Sequence, residues 1–422
     1  MCIRDRPDGH GYDEAKVIGG QPKHAIMSSV ENQIDHPNQI AFAVVTTSGP
    51  DKPGVSAAFF RVLSSYNVEL VDVEQAIFSG RISLSAYIRV DNARLEALEK
   101  GLRNTLSIYA QSLTVELRAD EVTSRPRSTH VVVVLGRQLN ASHISAIAQE
   151  LANFNVNIDR IRGLSTYPLN GLELYITIDG SSDPVRAVLA RLATEQGVDI
   201  AIERSGLQRR SKRLICFDCD STLITGEVIE MLAAHAGKEA EVAAVTERAM
   251  RGELDFEESL RERVAALAGL PESVIAQTAA DIELTPGVRT TIRTLKRMGY
   301  RVAVVSGGFI QVLEDLAKEL ELDYLRANTL EIEDGKLTGR VIGDVVDRKA
   351  KENFLREFAA DSGLSMRQTV AVGDGANDID MISAAGLGIA FNAKPAVREV
   401  ADAAVNHPYM DEILQILGIP ME

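Results

Sequence analysis

The stretch LICFDCDST, residues 214–222, decides the fold, because its apolar run ends abruptly in two aspartates. VAVVSGG (302–308) and TVAVGDGAND (369–378) have the same form, an apolar run followed by polar residues. Segments with helical spacing of apolar residues lie between these runs. Continuous apolar strands that alternate with helices are typical of a parallel sheet covered on both faces. We therefore predict a doubly wound α/β domain over residues 214–422.

The polar residues behind these strands indicate where the chemistry takes place. In open α/β sheets, ligands bind in the crevice beyond the carboxyl ends of the strands. Asp218, Asp220, Ser306, Asp374 and Asp378 all follow predicted strands. Two carboxylates at close range repel each other unless a cation lies between them. Clustered aspartates favour a hard, oxygen-ligated ion such as Mg²⁺.

Two smaller features complete the predicted crevice. Ser306 offers a hydroxyl, and Gly307 offers an unobstructed backbone N–H just before a helix, which together suit a phosphate group. Lys351, at the start of a later helix, could supply fixed positive charge, and Lys349 is its rival.

Cys216 and Cys219 have C-x-x-C spacing, which can indicate a redox pair or a zinc site. Residues three apart on an extended segment point to opposite faces, and no second pair of Cys or His follows nearby. The neighbouring carboxylates explain this segment better than a redox or zinc site does.

The part of the chain before residue 214 contains an internal duplication. NVELVDVEQ at Asn67 matches NVNIDRIRG at Asn155, and SAYIRVD ending at Asp91 matches ELYITID ending at Asp179. Both matches keep one offset of 88 residues without a gap. Each copy has the pattern strand, helix, strand, strand, helix, strand, which predicts two ferredoxin-like α+β domains.

The loop GPDKPGV, residues 49–55, lies between the first strand and helix of copy one. It resembles the ACT family of amino-acid-sensing modules, whose Asp-x-Pro-Gly loop helps to form an effector site at the junction of paired domains. Copy two has LGRQLNAS, residues 135–142, at this place and lacks the motif. The alternative is that both copies only pack or dimerise, and that Gly and Pro merely close a turn.

The remaining segments set the boundaries. The first forty or so residues lack periodicity and resemble a disordered extension or translation from upstream of the true start. The basic stretch RSGLQRRSKR, which ends at Arg213, is interpreted as a solvated hinge. The predicted regions are a disordered extension (1–38), ACT-like domain 1 (39–120), ACT-like domain 2 (128–204), a linker (205–213) and the α/β domain (214–422), with a cap at about 223–285.

The composition excludes several classes of protein. A formal net charge of −15 argues against a nucleic-acid or anionic-membrane surface. Three cysteines are too few for a disulfide framework. No apolar run approaches the roughly 20 residues that span a bilayer, and no signal pattern opens the chain. We expect a cytoplasmic homodimer without a nucleic-acid or membrane partner.

The α/β domain resembles the haloacid-dehalogenase superfamily of phosphatases through DCDST, SGG, Lys351 and GDGAND, in this order. Within that superfamily it is most similar to phosphoserine phosphatase, through FDCDSTLITGE, FEESLRERV, VVSGGF, LTGRV and AVGDGANDIDM. The resemblance covers the chain from about Leu214 to its C-terminus. The paired upstream domains also resemble those of the longer bacterial phosphoserine phosphatases.

The resemblance implies a role for each matching residue. Asp218 would be the nucleophile that becomes an aspartyl-phosphate, and Asp220 would protonate the leaving oxygen and then activate water. Mg²⁺ would be bound by the Asp218 and Asp374 side chains and by the Asp220 backbone carbonyl. The other matching residues would hold the phosphoryl oxygens (Ser306, Gly307 and Lys351) or position Lys351 and a metal-bound water (Asn377 and Asp378).

The resemblance assigns the choice of substrate to the helical cap. Glu227 would bind the substrate ammonium and Arg263 its carboxylate, with Met250 and Phe256 walling the pocket. A carboxylate and a guanidinium fit the two charged groups of an amino acid. The alternative for Arg263 is an exposed charge on a helix that is rich in charge.

These expectations combine into a magnesium-dependent phosphoserine phosphatase that performs the last step of serine biosynthesis and is regulated by serine at its ACT-like domains. One alternative is a phosphatase or phosphotransferase for another small phosphoester, such as phosphohomoserine, phosphothreonine or phosphoglycolate. A non-catalytic amino-acid sensor is a second alternative. Cation pumps share an aspartate nucleophile and a GDG-x-ND element, but they require membrane spans.

Overall fold

The computed structural model of the protein describes residues 40–118, 128–165, 169–250 and 255–419. These fall into two compact units, residues 1–125 and 126–422, and each unit is described by itself. The predicted extension, residues 1–38, lies outside the described residues.

The first unit has the predicted ferredoxin-like fold. Its four strands form one antiparallel sheet in the order β2-β3-β1-β4, and the apolar faces of both helices join the sheet residues in one core. The elements are β1 (Ile40–Pro50), α1 (Val55–Ser65), β2 (Glu69–Phe78), β3 (Arg81–Asp91), α2 (Asn92–Ser107) and β4 (Ser112–Arg118).

Local sequence explains the turns of this unit. Ser79 and Gly80 join β2 to β3 with φ values of 49° and 73°. A two-residue hairpin of this kind needs positive φ at both positions, which glycine adopts without strain. Gly54 precedes α1 with φ of 98°, and a Cβ at this position would lie 3.1 Å from the Tyr109 hydroxyl. The Asp-x-Pro-Gly loop therefore packs closely on Tyr109, just beyond the end of α2.

The second unit begins with the second copy of this fold. Its sheet order, β8-β5-β7-β6, is the same when read in chain order, which agrees with the predicted duplication. The elements are β5 (His130–Gly136), α3 (Ala141–Asn153), β6 (Asn157–Ser165), β7 (Asn170–Thr177), α4 (Asp183–Gln196) and β8 (Asp199–Arg204).

The rest of the second unit is the predicted α/β domain. Its strands follow the order β12-β11-β10-β9-β13-β14-β15, parallel from β11 to β15, with β12 antiparallel at the edge. The elements are α5 (Leu207–Arg210), β9 (Leu214–Phe217), α6 (Val228–Ala236), α7 (Glu239–Met250), α8 (Phe256–Ala265), α9 (Ser273–Ala280), α10 (Val288–Arg297), β10 (Arg301–Phe309), α11 (Ile310–Glu319), β11 (Tyr324–Glu333), β12 (Lys336–Ile342), α12 (Arg348–Asp361), β13 (Thr369–Gly373), α13 (Ile379–Ala384), β14 (Gly388–Phe391), α14 (Pro395–Val400), β15 (Ala403–Val405) and α15 (Glu412–Ile416).

The helices α6 to α9 form an insertion between β9 and β10. A bridge between Ile224 and Leu284 brings the chain back to the point at which it left the sheet. A second bridge, Pro271 to Lys336, links the insertion to the β11–β12 hairpin. The described insertion is helical, as expected for the cap.

The sheet of the second ACT-like domain continues into the sheet of the α/β domain. Ala201 of β8 pairs with Ala403 of β15 in an antiparallel bridge, so one sheet of eleven strands crosses the second unit. The sequence alone did not predict this connection, because β15 is only three residues long.

The basic segment before β9 differs from the solvated hinge that we expected. Residues 207–210 form the short helix α5, and Arg209 and Lys212 are only 8% and 4% exposed. Arg209 Nη1 donates to Glu173 Oε1 at 2.5 Å and thereby ties the segment to β7. The many charges of this segment led us to expect exposure. Arg209 is buried instead because it pairs with the buried carboxylate of Glu173.

No helix within the described ranges is long and apolar enough to cross a bilayer.

Candidate active site

Three neighbouring strands bring their polar ends together. Parallel β9 lies between β10 and β13, with Phe217 opposite both Val304 and Val372. Asp218 directly follows Phe217, and the polar residues of the two flanking strands, Ser306 and Asp374, lie two residues beyond the paired positions. Because parallel strands end at the same edge, these side chains face one crevice.

Lys351 is completely buried between two aspartates. Its Nζ lies 2.7 Å from Oδ1 of Asp218 and 2.7 Å from Oδ1 of Asp378. Burial alone would lower the pKa of Lys351, but the charges of Asp218 and Asp378 raise it above its ordinary value. The rival Lys349 is exposed and pairs with Glu352 at 2.5 Å, so Lys351 is the lysine that reaches the crevice.

Burial raises the pKa of Asp218 well above its usual range; the charge of Asp378 adds to this, and Lys351 opposes it. Burial also raises the pKa of Asp374 to about 6, and the charge of Asp378 contributes. Both shifts have the same physical meaning: acidic groups are crowded in a poorly solvated place. A bound cation would relieve this repulsion.

The oxygen atoms of the three acids can hold a metal ion. Oxygens of Asp218, Asp374 and Asp378 lie within 4.8 Å of one another. Asp378 uses Oδ1 for Lys351 and Oδ2 for the backbone N–H groups of Asp374 and Gly375. Asp218 and Asp374 each engage only Oδ1, with Oδ2 lacking a hydrogen-bond donor among the described residues. Carboxylate oxygens suit a hard divalent cation, so the donor set fits a metal held by Asp218 and Asp374.

Asp220 lies in different surroundings from Asp218. Its Oδ1 accepts the Val228 N–H at 2.8 Å, and its Oδ2 accepts the Ser306 hydroxyl at 3.1 Å. Burial raises the pKa of Asp220 to about 7, with the charge of Glu227 contributing. A carboxyl with this pKa can both donate and accept a proton near neutral pH.

The segment 306–308 at the end of β10, which we call the phosphate loop, is fixed in shape. Ser306 Oγ accepts the Gly308 N–H at 2.8 Å. A Cβ at Gly308 would lie 3.0 Å from Ser306 Oγ and 3.1 Å from Asp220 Oδ2, so the second glycine is needed for this close approach.

Asn328 holds this loop from the neighbouring strand β11. Its Nδ2 donates to the Gly307 carbonyl at 2.8 Å, and its Oδ1 accepts the Val346 N–H at 2.8 Å. The residue is 2% exposed. Sequence reasoning missed Asn328 because RANTL carries no motif, and only the parallel register of β10 with β11 would have placed it beside Gly307.

The predicted substrate-selecting residues line the cap side of the crevice. Glu227 Oε1 accepts the Ser221 hydroxyl at 3.0 Å. Arg263 Nε donates to the Ser259 carbonyl at 3.2 Å, and its terminal nitrogens have no partner among the described residues. Burial lowers the pKa of Arg263, and the charges of Glu227 and Asp220 oppose that effect.

The other predicted residues divide into three cases. Phe256 lies against the phosphate loop, because a Cβ at Gly307 would be 3.5 Å from Phe256 Cζ. Asn377 folds back on Gly375, two residues before it, because a Cβ at Gly375 would lie 2.3 Å from Asn377 Oδ1. The Met250 side chain lies outside the described residues.

The C-x-x-C pair takes no part in this chemistry. Cys216 and Cys219 are both buried and both free. Burial raises the pKa of each thiol, the charge of Asp218 adds to this at both positions, and Lys351 opposes it. A thiolate is therefore disfavoured at both positions.

Comparison with known families divides the chain as follows. Residues 212–386 match the haloacid dehalogenase-like hydrolase family, and residues 41–117 and 128–203 each match an ACT domain family. The two ACT matches cover the two copies of the duplication.

Two curated relatives match almost the whole chain. One is the phosphoserine phosphatase SerB2 of Mycobacterium tuberculosis, 53% identical over 379 residues, or 89% of this chain and 93% of the relative. The other is a phosphoserine phosphatase of Streptomyces coelicolor, 51% identical over 385 residues, or 90% of this chain and 92% of the relative.

Two solved structures agree with the fold. A probable phosphoserine phosphatase of Vibrio cholerae is 35% identical with a TM-score of 0.54, over 68% of this chain and 86% of its own. A hydrolase of the haloacid dehalogenase family from Salmonella enterica is 28% identical with a TM-score of 0.60, over 68% of this chain and 98% of its own.

Proposed function

Because this chain belongs to the phosphoserine phosphatase family, we propose that it hydrolyses O-phospho-L-serine to L-serine and phosphate, the last step of serine biosynthesis. One observation carries the proposal: the buried Lys351 bridges Asp218 and Asp378 at the edge where three strands end. A scaffold or a pure sensor has no need of a buried ammonium held between two carboxylates.

The proposed first step is attack of the Asp218 carboxylate on phosphorus. A bond forms between an Asp218 oxygen and phosphorus, and the bond between phosphorus and the serine oxygen breaks. Asp220, with its pKa raised to about 7, gives its proton to the leaving serine oxygen. The products of this half-reaction are L-serine and an aspartyl-phosphate.

The second step returns the enzyme to its starting state. Asp220, now ionised, accepts a proton from a water molecule that attacks the phosphorus of the aspartyl-phosphate. The bond between phosphorus and the Asp218 oxygen breaks, so Asp218 is again a carboxylate and inorganic phosphate leaves. The Ser306 hydroxyl, the Gly307 N–H and Lys351 would hold the phosphoryl oxygens during both steps.

We propose Mg²⁺ as the resident metal, bound by the Asp218 and Asp374 side chains and by the Asp220 backbone carbonyl. When bound, it supplies positive charge that lets an anionic carboxylate approach an anionic phosphate. Asp378 acts on Lys351 and on the Asp374 backbone, since both of its oxygens are already engaged. Asn377 would position a metal-bound water.

Selection of an amino-acid phosphate is proposed for the cap. The terminal nitrogens of Arg263, which lack a partner among the described residues, suit the substrate carboxylate, and Glu227 suits its ammonium. Phe256, and Met250 by resemblance, would wall the pocket. Closure of the cap would also keep bulk water from the reacting phosphorus.

The experiment that tests this function compares phosphoserine with phosphohomoserine, phosphothreonine and phosphoglycolate, with Mg²⁺ present. We expect the highest kcat/KM for phosphoserine, loss of turnover with a chelator, and loss of turnover in Asp218→Asn. Equal rates on all four esters would overturn the phosphoserine assignment. Normal phosphate release by Asp218→Asn would overturn the nucleophile assignment.

For the ACT-like domains we propose serine binding and assembly into a homodimer. The Asp-x-Pro-Gly loop of the first domain supports the sensing role. The edge strand β2 exposes apolar side chains, with Ile77 56% and Phe78 85% exposed, which supports pairing with a second copy. Calorimetry with millimolar serine compares the full chain with an Asp51→Ala variant of the Asp-x-Pro-Gly loop, because the product serine can also bind beside Arg263. Light scattering of a Phe78→Lys variant tests the dimer separately.

The cytoplasmic location stays a prediction of the same proposal. Fractionation of cells that express the tagged chain would test it.

A further inference from the structure

A cavity of about 310 Å³ lies between the second ACT-like domain and the α/β domain. Pockets of this size commonly hold small ligands. Two acids, Glu203 and Asp402, contribute to its lining. The cations that line it are more numerous: Arg186, Arg204, Arg209, Lys212 and Arg367. In a chain with a net charge of −15, this local excess of positive charge is a specific feature.

Lys212 is the first sign that an anion belongs in this cavity. The residue is only 4% exposed, yet its Nζ makes one hydrogen bond, to the Arg367 carbonyl at 3.0 Å. An ammonium has three donors. Within the described part of the chain, no carboxylate lies within ion-pair distance of this Nζ. Burial lowers the pKa of Lys212, and the charges of Glu203 and Asp402, acting from beyond ion-pair distance, oppose this only in part. A buried cation with one neutral acceptor is stabilised when a further negative charge binds beside it.

The guanidinium groups of the lining give the second sign. Arg209 is buried and donates to Glu173 and to the Ile416 carbonyl, but its Nε has no hydrogen-bond partner. Arg204 and Arg367 are exposed and form no ion pair with any described residue. Arg186 pairs with Asp402, and Arg209 Nε lies 3.9 Å from Glu203 Oε1, so the two acids of the lining are already engaged by these two arginines. The guanidinium groups of Arg204 and Arg367 and the remaining donors of Lys212 are therefore left without an acidic partner among the described residues.

The position of the cavity connects it to the chemistry. Lys212 precedes β9 and Arg367 precedes β13, and the hydrogen bond between them joins the starts of the two strands. The same strands end at Asp218 and Asp374, on the opposite edge of the sheet. A change at the cavity can thus reach the catalytic edge through two short, fully buried strands.

We propose that this cavity is an effector site for a small dianionic oxyanion, either free phosphate or the phosphate group of a small metabolite. The tetrahedral anion accepts hydrogen bonds from Lys212 Nζ and from the Arg204 and Arg367 guanidinium groups. Its binding changes turnover at Asp218 through β9 and β13. Because Arg204 comes from β8 and Arg367 from the α/β domain, the anion also ties the two domains together.

The test uses the full chain and two double variants that lose the same charge. Arg204→Gln with Arg367→Gln removes two exposed cavity cations. Arg103→Gln with Arg191→Gln, two exposed helix arginines that each pair with a glutamate one turn away, is the matched control. Sulfate is titrated calorimetrically at constant ionic strength. It can occupy both the cavity and the phosphate loop at Ser306. We expect two binding events in the wild type and the control.

In the cavity variant we expect one event to persist and the other to weaken about tenfold or more, as expected for lost charge-assisted hydrogen bonds. Unchanged stoichiometry and affinity would overturn the site. Inorganic phosphate and methylphosphonate are then compared as ligands: preference for the phosphonate identifies a phosphorylated metabolite, and preference for phosphate identifies the free ion.

Kinetics tests the coupling. Phosphate that binds only at the active site inhibits competitively against phosphoserine, whereas phosphate at the cavity changes kcat. We expect the kcat effect in the wild type and the control variant and its loss in the cavity variant, with equal kcat in all three without phosphate. The same kcat response in the cavity variant and in the wild type would overturn the coupling. The calorimetric result does not depend on phosphoserine being the substrate, so the two proposals fail separately.

Discussion

Asp218 and Asp220 lie two residues apart, but their surroundings differ. Asp218 pairs with the buried Lys351, whose charge opposes the effect of burial on the pKa of Asp218, and a bound cation would further favour the ionised form that a nucleophile needs. Among the described residues, Asp220 accepts hydrogen bonds from Val228 and Ser306, and its pKa is raised to about 7, which suits a proton donor. The two carboxyl groups thus differ in their partners, an ammonium for Asp218 and uncharged donors for Asp220, as distinct catalytic roles require.

The proposed role of Asp220 predicts a dependence on the leaving group. Asp220→Asn should lower kcat for phosphoserine by about 10²- to 10⁴-fold, the usual contribution of general acid–base catalysis. With 4-nitrophenyl phosphate, whose leaving group needs no proton, rapid mixing should show a burst of nitrophenol followed by slow turnover. The burst reports an aspartyl-phosphate that the variant cannot hydrolyse. Absence of the burst, in an Asp220→Asn variant that still binds phosphate, would contradict the assignment.

The proposed role of Arg263 predicts a change in specificity. Arg263→Gln should lower kcat/KM for phosphoserine by about 10- to 100-fold, because a charged hydrogen bond to the substrate carboxylate is lost. Phosphoethanolamine lacks that carboxylate, so its kcat/KM should stay the same. Arg261→Gln is the matched control, since Arg261 lies on the same helix and pairs with Glu257. An equal loss for both substrates would mean that Arg263 only supports the cap.

At the scale of elements, the phosphate loop depends on the strand beside it. Asn328→Ala removes the donor to the Gly307 carbonyl and the acceptor of the Val346 N–H. We expect a loss of about 1–3 kcal/mol in the free energy of unfolding, together with a lower kcat/KM, because a buried carbonyl is left without a partner. Urea unfolding and steady-state kinetics measure the two effects. Asn353→Ala, at an exposed position on α12, should change neither.

The elements that the sequence predicted well are those with long periodic patterns. Both ferredoxin-like copies and the strands β9, β10 and β13 follow from apolar runs and turn residues. The β11–β12 hairpin was missed, although Asp334 and Gly335, with φ values of 49° and 72°, are an Asp-Gly turn signal. Its burial is incomplete, so the apolar alternation on which the prediction depended is weak.

The sequence indicated the candidate catalytic residues, but it did not indicate the residues that hold them in place. Lys351 and the aspartates stand in motifs, so residue type and spacing indicate them. Asn328 acts across strands, and the burial of Arg209 and Lys212 depends on a domain contact. Neither kind of information lies in local sequence, because both depend on residues far apart in the chain.

At the scale of the second unit, the ACT-like sheet and the catalytic sheet are joined by polar contacts as well as by the β8–β15 bridge. Asp199, at the start of β8, accepts hydrogen bonds from the Asn406 side chain at 2.6 Å and from His407 Nδ1 at 2.9 Å. His407 also lies 3.6 Å from Glu412 Oε2. An imidazole between two buried carboxylates makes this junction sensitive to pH.

The direction of that sensitivity follows from two pKa shifts. The hydrogen bond to Asp199 raises the pKa of His407, so its contribution to stability is present below the ordinary histidine value and is lost as pH rises through the raised one. Burial raises the pKa of Glu412 from near 4.5 to about 8, so the folded protein resists its ionisation. Both groups therefore make stability fall as pH rises: Glu412 from about 4.5 to 8, and His407 above its ordinary value of 6.5.

Glu412→Gln tests this account, because the amide keeps the shape of the side chain and cannot ionise. We expect the variant to unfold at a higher temperature than the wild type at pH 8 and to lose less stability between pH 6 and pH 8. Glu399→Gln, an exposed glutamate on α14, should follow the wild-type curve. Calorimetry across this pH range decides the matter: parallel curves for the wild type and Glu412→Gln would mean that Glu412 is already ionised in the folded protein. If the unfolding temperature depends less on pH in Glu412→Gln, but not in Glu399→Gln, then ionisation of Glu412 weakens the junction between the ACT-like sheet and the catalytic sheet.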